Sequence, residues 1–121
     1  MARPRKAPAR RDRMPDELMA AVAAQFRALG DVSRLRLLEL LLEGPRSVTE
    51  LAERAGLSHQ NASKHLAVLS AVGLVARRRD GAHVLYATEG DGPERLCAIV
   101  CERVAARVAR EHASARRYLA G

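Results

Sequence analysis

The chain has 121 residues, of which 48% are hydrophobic and only 2% aromatic, and its formal net charge is +7. This length suits one domain, and a core of Leu, Val and Ala favours helices and a dimer that completes burial across an interface. The sequence has no stretch typical of a membrane span or a signal peptide, so we expect a cytoplasmic protein and, from its two cysteines, no structural disulfide.

Much of the positive charge lies in the first residues. Residues 1–13 hold six basic side chains against one acid, Asp12. We expect a solvated, disordered arm here, and a segment that contacts phosphates is the alternative. The folded domain is predicted over 14–112, followed by a frayed tail over 113–121. A basic chain suits an anionic partner, although charge alone does not identify nucleic acid.

Two helices are predicted after the arm. Pro15 suits the first turn of a helix over 16–29, because its fixed φ is already helical. Asp31 can cap a second helix, about 32–43. The first helix carries one apolar stripe, formed by Leu18, Val22, Phe26 and Leu29. The residues of the second helix expected to face inward are Leu35, Leu38, Leu41 and Leu42.

Two shorter helices meet at a glycine. Ser47 and Glu50 form the pattern of a capping box for a third helix that ends near Ala55. Gly56 can supply the left-handed residue of a tight turn, and a fourth helix is predicted over 59–72. The cap and the core-facing residues of this fourth helix are Ser58, Ala62, Leu66 and Leu69.

A change of period to two residues indicates a β-hairpin after the fourth helix. The strands are the segments LVARRR and AHVLYAT, which flank a two-residue turn at Asp80-Gly81. Alternation places Arg77 and Arg79 on one face and Arg78 on the other. The residues expected to cover the helices are Leu74, Val84 and Tyr86.

A last helix is predicted over 93–112. Its apolar residues recur every four positions, a longer stripe than one small domain can cover. Such a helix commonly packs on a second copy of itself, which predicts a homodimer. The residues of the stripe are Leu96, Val100, Val104 and Val108.

The exposed side of the fourth helix carries amide, hydroxyl and basic groups. Gln60 and Asn61 can bond adenine bidentately, and Lys64 can bond phosphate or a base edge. Residues 54–79 contain no acid, which favours double-stranded DNA over the alternative, an ordinary solvated face. His65 lies between the two faces, and we expect it to be packed and hydrogen-bonded. The predicted DNA contacts are Ser58, His59, Gln60, Asn61, Ser63 and Lys64, with Arg77, Arg78 and Arg79 of the hairpin, whose alternative role is to protect an edge strand from aggregation.

Three segments carry a family resemblance: FRALGDVSRLRLLELLLEG, ELAERAGLSHQNASKHLAVL and GLVARRRDGAHVLYA. Together they resemble the ArsR (ArsR/SmtB) family of bacterial regulators over about residues 22–112. The resemblance implies a mainly helical winged helix-turn-helix with a small β-hairpin, in the order four helices, two strands and a fifth helix. It also implies a symmetric homodimer joined by its first and last helices, which represses transcription at a palindromic operator and is released by an effector.

The metal sites of the family are not reproduced here. Its metal-sensing branch has Cys-x-Cys at the entry of the third helix, where this chain has residues 46–50 without cysteine. Its zinc-sensing branch has Asp-x-His and His-x-x-Glu in the last helix, with the histidines eleven residues apart. Cys101 and His112 have that spacing, but Ile99 and Ala115 stand at the acidic positions. Of the four ligands of that zinc site, this chain therefore has two candidates.

Cys97 and Cys101 share one face of the last helix, four residues apart. With His112 they form the candidate ligand set for a soft ion such as As(III), Zn(II) or Cu(I). Alternatively they undergo oxidation or persulfide formation, with Arg95 and Arg103 lowering their pKa. The third alternative is that both are small buried residues at a dimer interface.

No pattern of residues predicts an enzyme. The sequence has no Gly-rich phosphate loop, no convincing carboxylate pair and no Ser/His/Asp set with supporting context. The predicted function is sequence-specific DNA binding with an effector response at Cys97 and Cys101. The alternative is a regulator without an effector, or a protein-interaction module, in which the cysteines are structural.

Overall fold

The computed structural model describes residues 13–120. Five helices and a two-stranded antiparallel hairpin follow one another in chain order, which confirms the mainly helical class. The basic arm predicted over 1–13 lies almost wholly outside the described residues. The elements are α1 (Asp16–Leu29), α2 (Val32–Leu41), α3 (Val48–Ala55), α4 (His59–Ala71), β1 (Val75–Asp80), β2 (His83–Thr88) and α5 (Gly92–Ala120).

Side-chain caps begin three of the helices, at the predicted residues. The carboxylate of Asp31 accepts a hydrogen bond from the backbone N–H of Arg34 at 3.0 Å. The hydroxyl of Ser47 accepts one from Glu50 at 3.2 Å. Glu50 does not complete a capping box, because its carboxylate pairs instead with the guanidinium of Arg46 at 2.6 Å. Each cap satisfies a backbone donor that the helix itself leaves unpaired.

The core is a cluster of leucines from α2, α3 and α4, closed by the base of the hairpin. Leu35 was expected to face this core, and it is 43% exposed, whereas Leu37 is fully buried. Leucines occur on several sides of α2, so the sequence period alone does not define a unique buried stripe. Leu42 is half-buried. The fully buried large residues are Leu37, Leu38, Leu41, Leu51, Leu66, Leu69 and Val75.

The hairpin turn lies one residue later than predicted. Asp80 pairs with His83, so Gly81 and Ala82 form the two-residue loop in place of Asp80-Gly81. Gly81 has φ +66°, a conformation that side chains disfavour, and this places the glycine at the first loop position.

Backbone hydrogen bonds tie the base of the hairpin to the segment before α3. The N–H of Arg46 donates to the carbonyl of Tyr86 at 3.0 Å, and the N–H of Tyr86 donates to the carbonyl of Arg46 at 2.8 Å. The guanidinium of Arg46 also donates to the carbonyl of Leu40 at 3.2 Å. The start of α3, the end of α2 and the hairpin are therefore joined through one residue.

Helix α5 continues to Ala120, well past the predicted end at His112. The frayed tail expected over 113–121 is therefore helical as far as it is described. No Gly or Pro occurs between Pro93 and Gly121, and the segment is rich in Ala and Arg, which favour helix. No helix among residues 13–120 combines the length and the apolar character needed to cross a membrane.

Candidate nucleic-acid interface

A tight turn fixes how α4 follows α3. Gly56 adopts a left-handed conformation with φ +69° and ψ +35°, as predicted. The N–H of Leu57 donates back to the carbonyl of Ala52 at 2.9 Å, which satisfies the end of α3. Leu57 packs against the core. The two helices therefore form a helix-turn-helix whose second member is held at its N-terminus.

Helix α4 has one fully buried face and one exposed face. Ala62, Leu66 and Leu69 anchor it in the core. The opposite side begins with the cap, where the hydroxyl of Ser58 accepts a hydrogen bond from the N–H of Asn61 at 3.0 Å. Ser63 is half-buried, unlike the other predicted contacts of this helix. The exposed ones are Ser58, His59, Gln60, Asn61 and Lys64.

The basic side chains of this surface are not neutralised by the protein. Arg36, Arg46 and Arg107 each form an ion pair with an acidic neighbour. Within residues 13–120, no ion pair involves Lys64 or the arginines of β1. The N-terminus of α4 adds the partial positive charge of a helix end. The combined surface therefore attracts phosphate.

The three arginines of β1 lie on a strand that begins directly after α4. The N–H of Leu74 donates to the carbonyl of Leu69 at 3.0 Å, so the strand leaves α4 directly. Arg77 and Arg79 pair with Tyr86 and Val84, while Arg78 pairs with Leu85 on the other face. The side chains of Arg77, Arg78 and Arg79 are all exposed.

Cys97 and Cys101 line a groove of about 460 Å³ between α2 and α5. The Cys97 thiol is half-buried and packs against the core, and Cys101 is exposed. Burial, with a smaller contribution from the neighbouring Cys101 thiolate, raises the pKa of the Cys97 thiol. The expectation that nearby arginines lower this pKa is therefore wrong for Cys97, because desolvation dominates. Arg95 instead lies 3.8 Å from the carboxylate of Asp91.

His112 is too far along α5 to join both cysteines within one chain. Eleven residues of helix from Cys101 to His112 correspond to about 16 Å. Among residues 13–120, no cluster of three or more His, Cys, Asp and Glu side chains could hold a metal ion. The described chain itself therefore brings together only the two thiols.

Two interhelical contacts were not foreseen from the sequence. The guanidinium of Arg34 on α2 lies 3.2 Å from Nδ1 of His65 on α4. The side-chain amide of Gln25 on α1 donates to the carbonyl of Val72 at 2.9 Å. His65 is packed and hydrogen-bonded, as expected. Its partner, Arg34, could not be identified from the sequence.

Comparison with known proteins identifies the family. A helix-turn-helix domain model matches residues 29–78. The homodimeric winged helix-turn-helix DNA-binding domain of Mb0332 from Mycobacterium bovis, a possible ArsR-family transcriptional regulator, superposes with a TM-score of 0.70. It is 35% identical, and the match covers 82% of this chain and 93% of that domain. The chain belongs to the ArsR family of winged helix-turn-helix regulators.

Curated ArsR-family relatives match a shorter part of their own length. The HTH-type transcriptional regulator KmtR of Mycobacterium tuberculosis is 38% identical over 85 residues, which cover 70% of this chain and 65% of KmtR. A probable mercury resistance operon repressor of Streptomyces lividans is 46% identical over 61 residues, which cover 50% of this chain and 49% of that protein. In ArsR-family terms, α4 is the reading helix and the β1–β2 hairpin is the wing.

Proposed function

We propose that the chain is a transcriptional repressor that binds a palindromic DNA operator as a homodimer. The observation that carries this proposal is the exposed basic surface of the reading helix and of Arg77, Arg78 and Arg79 in the wing, within a stretch of residues 54–79 that contains no acid. Its basic groups have no acidic partner among the described residues, and its amides are those that read base edges. Membership of a regulator family supports DNA binding rather than catalysis.

The proposed dimer rests on two helices that one chain leaves uncovered. Along α5, which has 29 residues and a length of about 43 Å, only Pro93 is buried. Val104 is 52% exposed, and on α1 Phe26 is 60% exposed. Apolar stripes of this extent are typical of interfaces. A second copy that covers α1 and α5 would place two reading helices about a two-fold axis.

The proposed docking places the N-terminal half of α4 in the major groove. Gln60 and Asn61 would contact base edges, and Lys64 with the helix N-terminus would contact phosphates. His59 and the half-buried Ser63 are proposed at the margin of this contact. The wing would reach the flanking backbone or the minor groove through Arg77, Arg78 and Arg79.

The test is a binding titration at several salt concentrations. A duplex selected by the protein from a random-sequence pool is compared with an unrelated duplex of equal length. We expect Lys64→Ala to weaken both duplexes and to lower the slope of log affinity against log salt by about one unit.

The matched control is Arg36→Ala, since Arg36 is an exposed cation on α2 that pairs with Glu39. This variant should retain the wild-type slope. A Lys64→Ala protein with unchanged affinity and salt slope would contradict this docking. Steep salt dependence without any sequence preference would favour a module that binds acidic partners.

We further propose that the effector acts in the groove that holds Cys97 and Cys101. Two thiols on one helix face, beside apolar walls, suit a soft ion such as As(III), Zn(II) or Cu(I), or thiol oxidation and persulfide formation. Any further ligand would come from outside the single chain, with His112 of a second copy as the candidate. The name of the Streptomyces lividans relative, a mercury resistance repressor, supports a soft-metal response.

The effector proposal is tested with Cys97→Ser/Cys101→Ser. Operator binding is measured with Zn(II), As(III), Cu(I), peroxide and persulfide. We expect at least one of them to release the wild type and to leave the double variant bound. Equal responses of the two proteins would assign both cysteines a packing role and contradict the proposed site.

A further inference from the structure

Arg34 on α2 connects three helices through one guanidinium. Its Nε donates to the carbonyl of Ala28 at 2.7 Å, and its Nη2 donates to the carbonyl of Arg27 at 3.3 Å. Both carbonyls belong to the C-terminal turn of α1, and that of Arg27 also accepts a hydrogen bond from the N–H of Gly30 at 3.1 Å. Its Nη1 lies 3.2 Å from Nδ1 of His65 in the reading helix.

The contact between Arg34 and His65 determines the tautomer of His65 and restrains the rotation of α4. A guanidinium can only donate, so Nδ1 of His65 accepts and the ring proton lies on Nε2. His65 is half-buried between Lys64, which is exposed, and Leu66, which is fully buried. A hydrogen bond at this border therefore opposes rotation of α4 about its own axis.

A second contact holds the far end of the reading helix. The side-chain amide of Gln25 on α1 donates to the carbonyl of Val72 at 2.9 Å. Val72 is the C-cap residue of α4, so this carbonyl is one that the helix leaves unpaired. The reading helix is thus held at its middle from α2 and at its end from α1.

Neither side chain is arranged as a DNA contact. Arg34 and Gln25 are both half-buried, and the protein's own acceptors engage their donor groups. The carboxylate of Asp31 also lies near Arg34, whose backbone N–H and, to a smaller extent, whose charge lower the pKa of that carboxyl. This environment compensates the guanidinium inside the protein.

We infer that Arg34 and Gln25 are positioning residues for sequence readout, which set the orientation of the reading helix from α1 and α2 without touching DNA. This inference rests on the proposed operator binding. It concerns two quantities that can be measured separately, the discrimination between DNA sequences and the salt slope of binding. Loss of a positioning residue lowers discrimination between sequences and leaves the salt slope intact, because no phosphate contact disappears.

The first test compares Arg34→Met with Arg36→Met. Both variants remove one cation from α2, but Arg36 pairs only with Glu39 on the exposed side. We expect Arg34→Met to weaken binding of the selected duplex about tenfold or more, since its hydrogen bonds are charge-assisted. Binding of the unrelated duplex and the salt slope should match those of Arg36→Met. A slope lower by about one unit would show a direct phosphate contact and overturn the inference.

The second test restores the acceptor. The substitution His65→Asn supplies an amide oxygen near the position of Nδ1, whereas His65→Leu supplies no acceptor. We expect His65→Asn to recover most of the discrimination between duplexes that His65→Leu loses. The double variant Arg34→Met/His65→Leu should discriminate no less than the less discriminating of the two single variants. Equal discrimination by the His65→Asn and His65→Leu variants would overturn the contact's role. If Arg34→Met fails to fold, the positioning role is tested by comparing His65→Asn with His65→Leu and Gln25→Met with wild type.

The outcomes separate this inference from the proposed function. If the wild type prefers no sequence, operator binding fails, and positioning for readout fails with it. If the wild type prefers its selected duplex and Arg34→Met, Gln25→Met and His65→Leu share that preference, only the positioning role is wrong. Thermal unfolding of each variant excludes a trivial loss of folded protein.

Discussion

At the scale of single residues, the reading helix divides its side chains by burial. Ala62, Leu66 and Leu69 are fully buried and hold the helix against the core. Gln60 and Asn61 are exposed on the opposite side, where planar amides can each make two hydrogen bonds to one base. In the proposed docking, anchoring and readout therefore involve different side chains, and we expect that readout can be changed without loss of fold.

This separation predicts the behaviour of Asn61→Ala. The Ser58 cap binds the backbone N–H of Asn61, so the substitution keeps the cap and the helix. We expect discrimination at one base pair of the selected duplex to fall by about 1–3 kcal/mol. The measurement is competition among duplexes with single base-pair changes. Unfolding temperature and affinity for an unrelated duplex should remain those of the wild type, and uniform weakening would instead assign Asn61 to the backbone.

At the scale of elements, the start of α2 depends on the ionised cap at Asp31. The hydrogen bond from the Arg34 N–H, aided by the charge of Arg34, holds the pKa of this carboxyl below its usual value. A lowered folded pKa stabilises the fold above the ordinary Asp pKa of about 3.9. This contribution is lost as the pH falls through the lower folded pKa.

The prediction for the cap is a pH-dependent difference between variants. Asp31→Asn keeps a capping oxygen without an ionisable group, so its urea midpoint should decline less than that of wild type between pH 5 and pH 2. Asp31→Ala should be less stable than both at pH 7. Parallel pH profiles for wild type and Asp31→Asn would show that the carboxylate does not stabilise the fold through its charge.

Local chemistry accounts for what could be predicted at this scale. The caps at Asp31 and Ser47 and the left-handed Gly56 depend on a few neighbouring residues, and the structure has them as expected. The exposure of Leu35 depends instead on which surfaces meet in three dimensions. A leucine-rich helix such as α2 leaves that choice undetermined.

In the candidate site, too, some features could be predicted from the sequence and others could not. The period of α4 predicted its exposed polar face, and the absence of acids favoured DNA as its partner. The Arg34–His65 contact and the raised pKa of Cys97 arise from elements far apart in sequence. Burial of the thiol is the main cause of the raised pKa, and only the packing of α5 reveals that burial.

At the scale of the whole molecule, the uncovered faces of α1 and α5 predict that assembly and DNA binding depend on each other. A charge at Val104 would be buried in the proposed interface without a partner, which costs several kcal/mol. We expect Val104→Asp to sediment as a monomer and to bind the selected duplex at least tenfold more weakly. Val104→Ile, which keeps the apolar surface, is the control. A dimeric Val104→Asp protein with full affinity would place the interface elsewhere.

The backbone hydrogen bonds between Arg46 and Tyr86 determine which end of the wing can vary in length. These hydrogen bonds fix the strands at the base of the wing, next to the entry of α3, while the loop at Gly81 and Ala82 lies at the opposite end. The register is set where the wing is anchored, so residues can be added at the tip without shifting the reading helix. In the proposed complex, a longer or shorter wing would therefore change its reach along DNA, and with it the length of operator that it contacts, while the core remains the same.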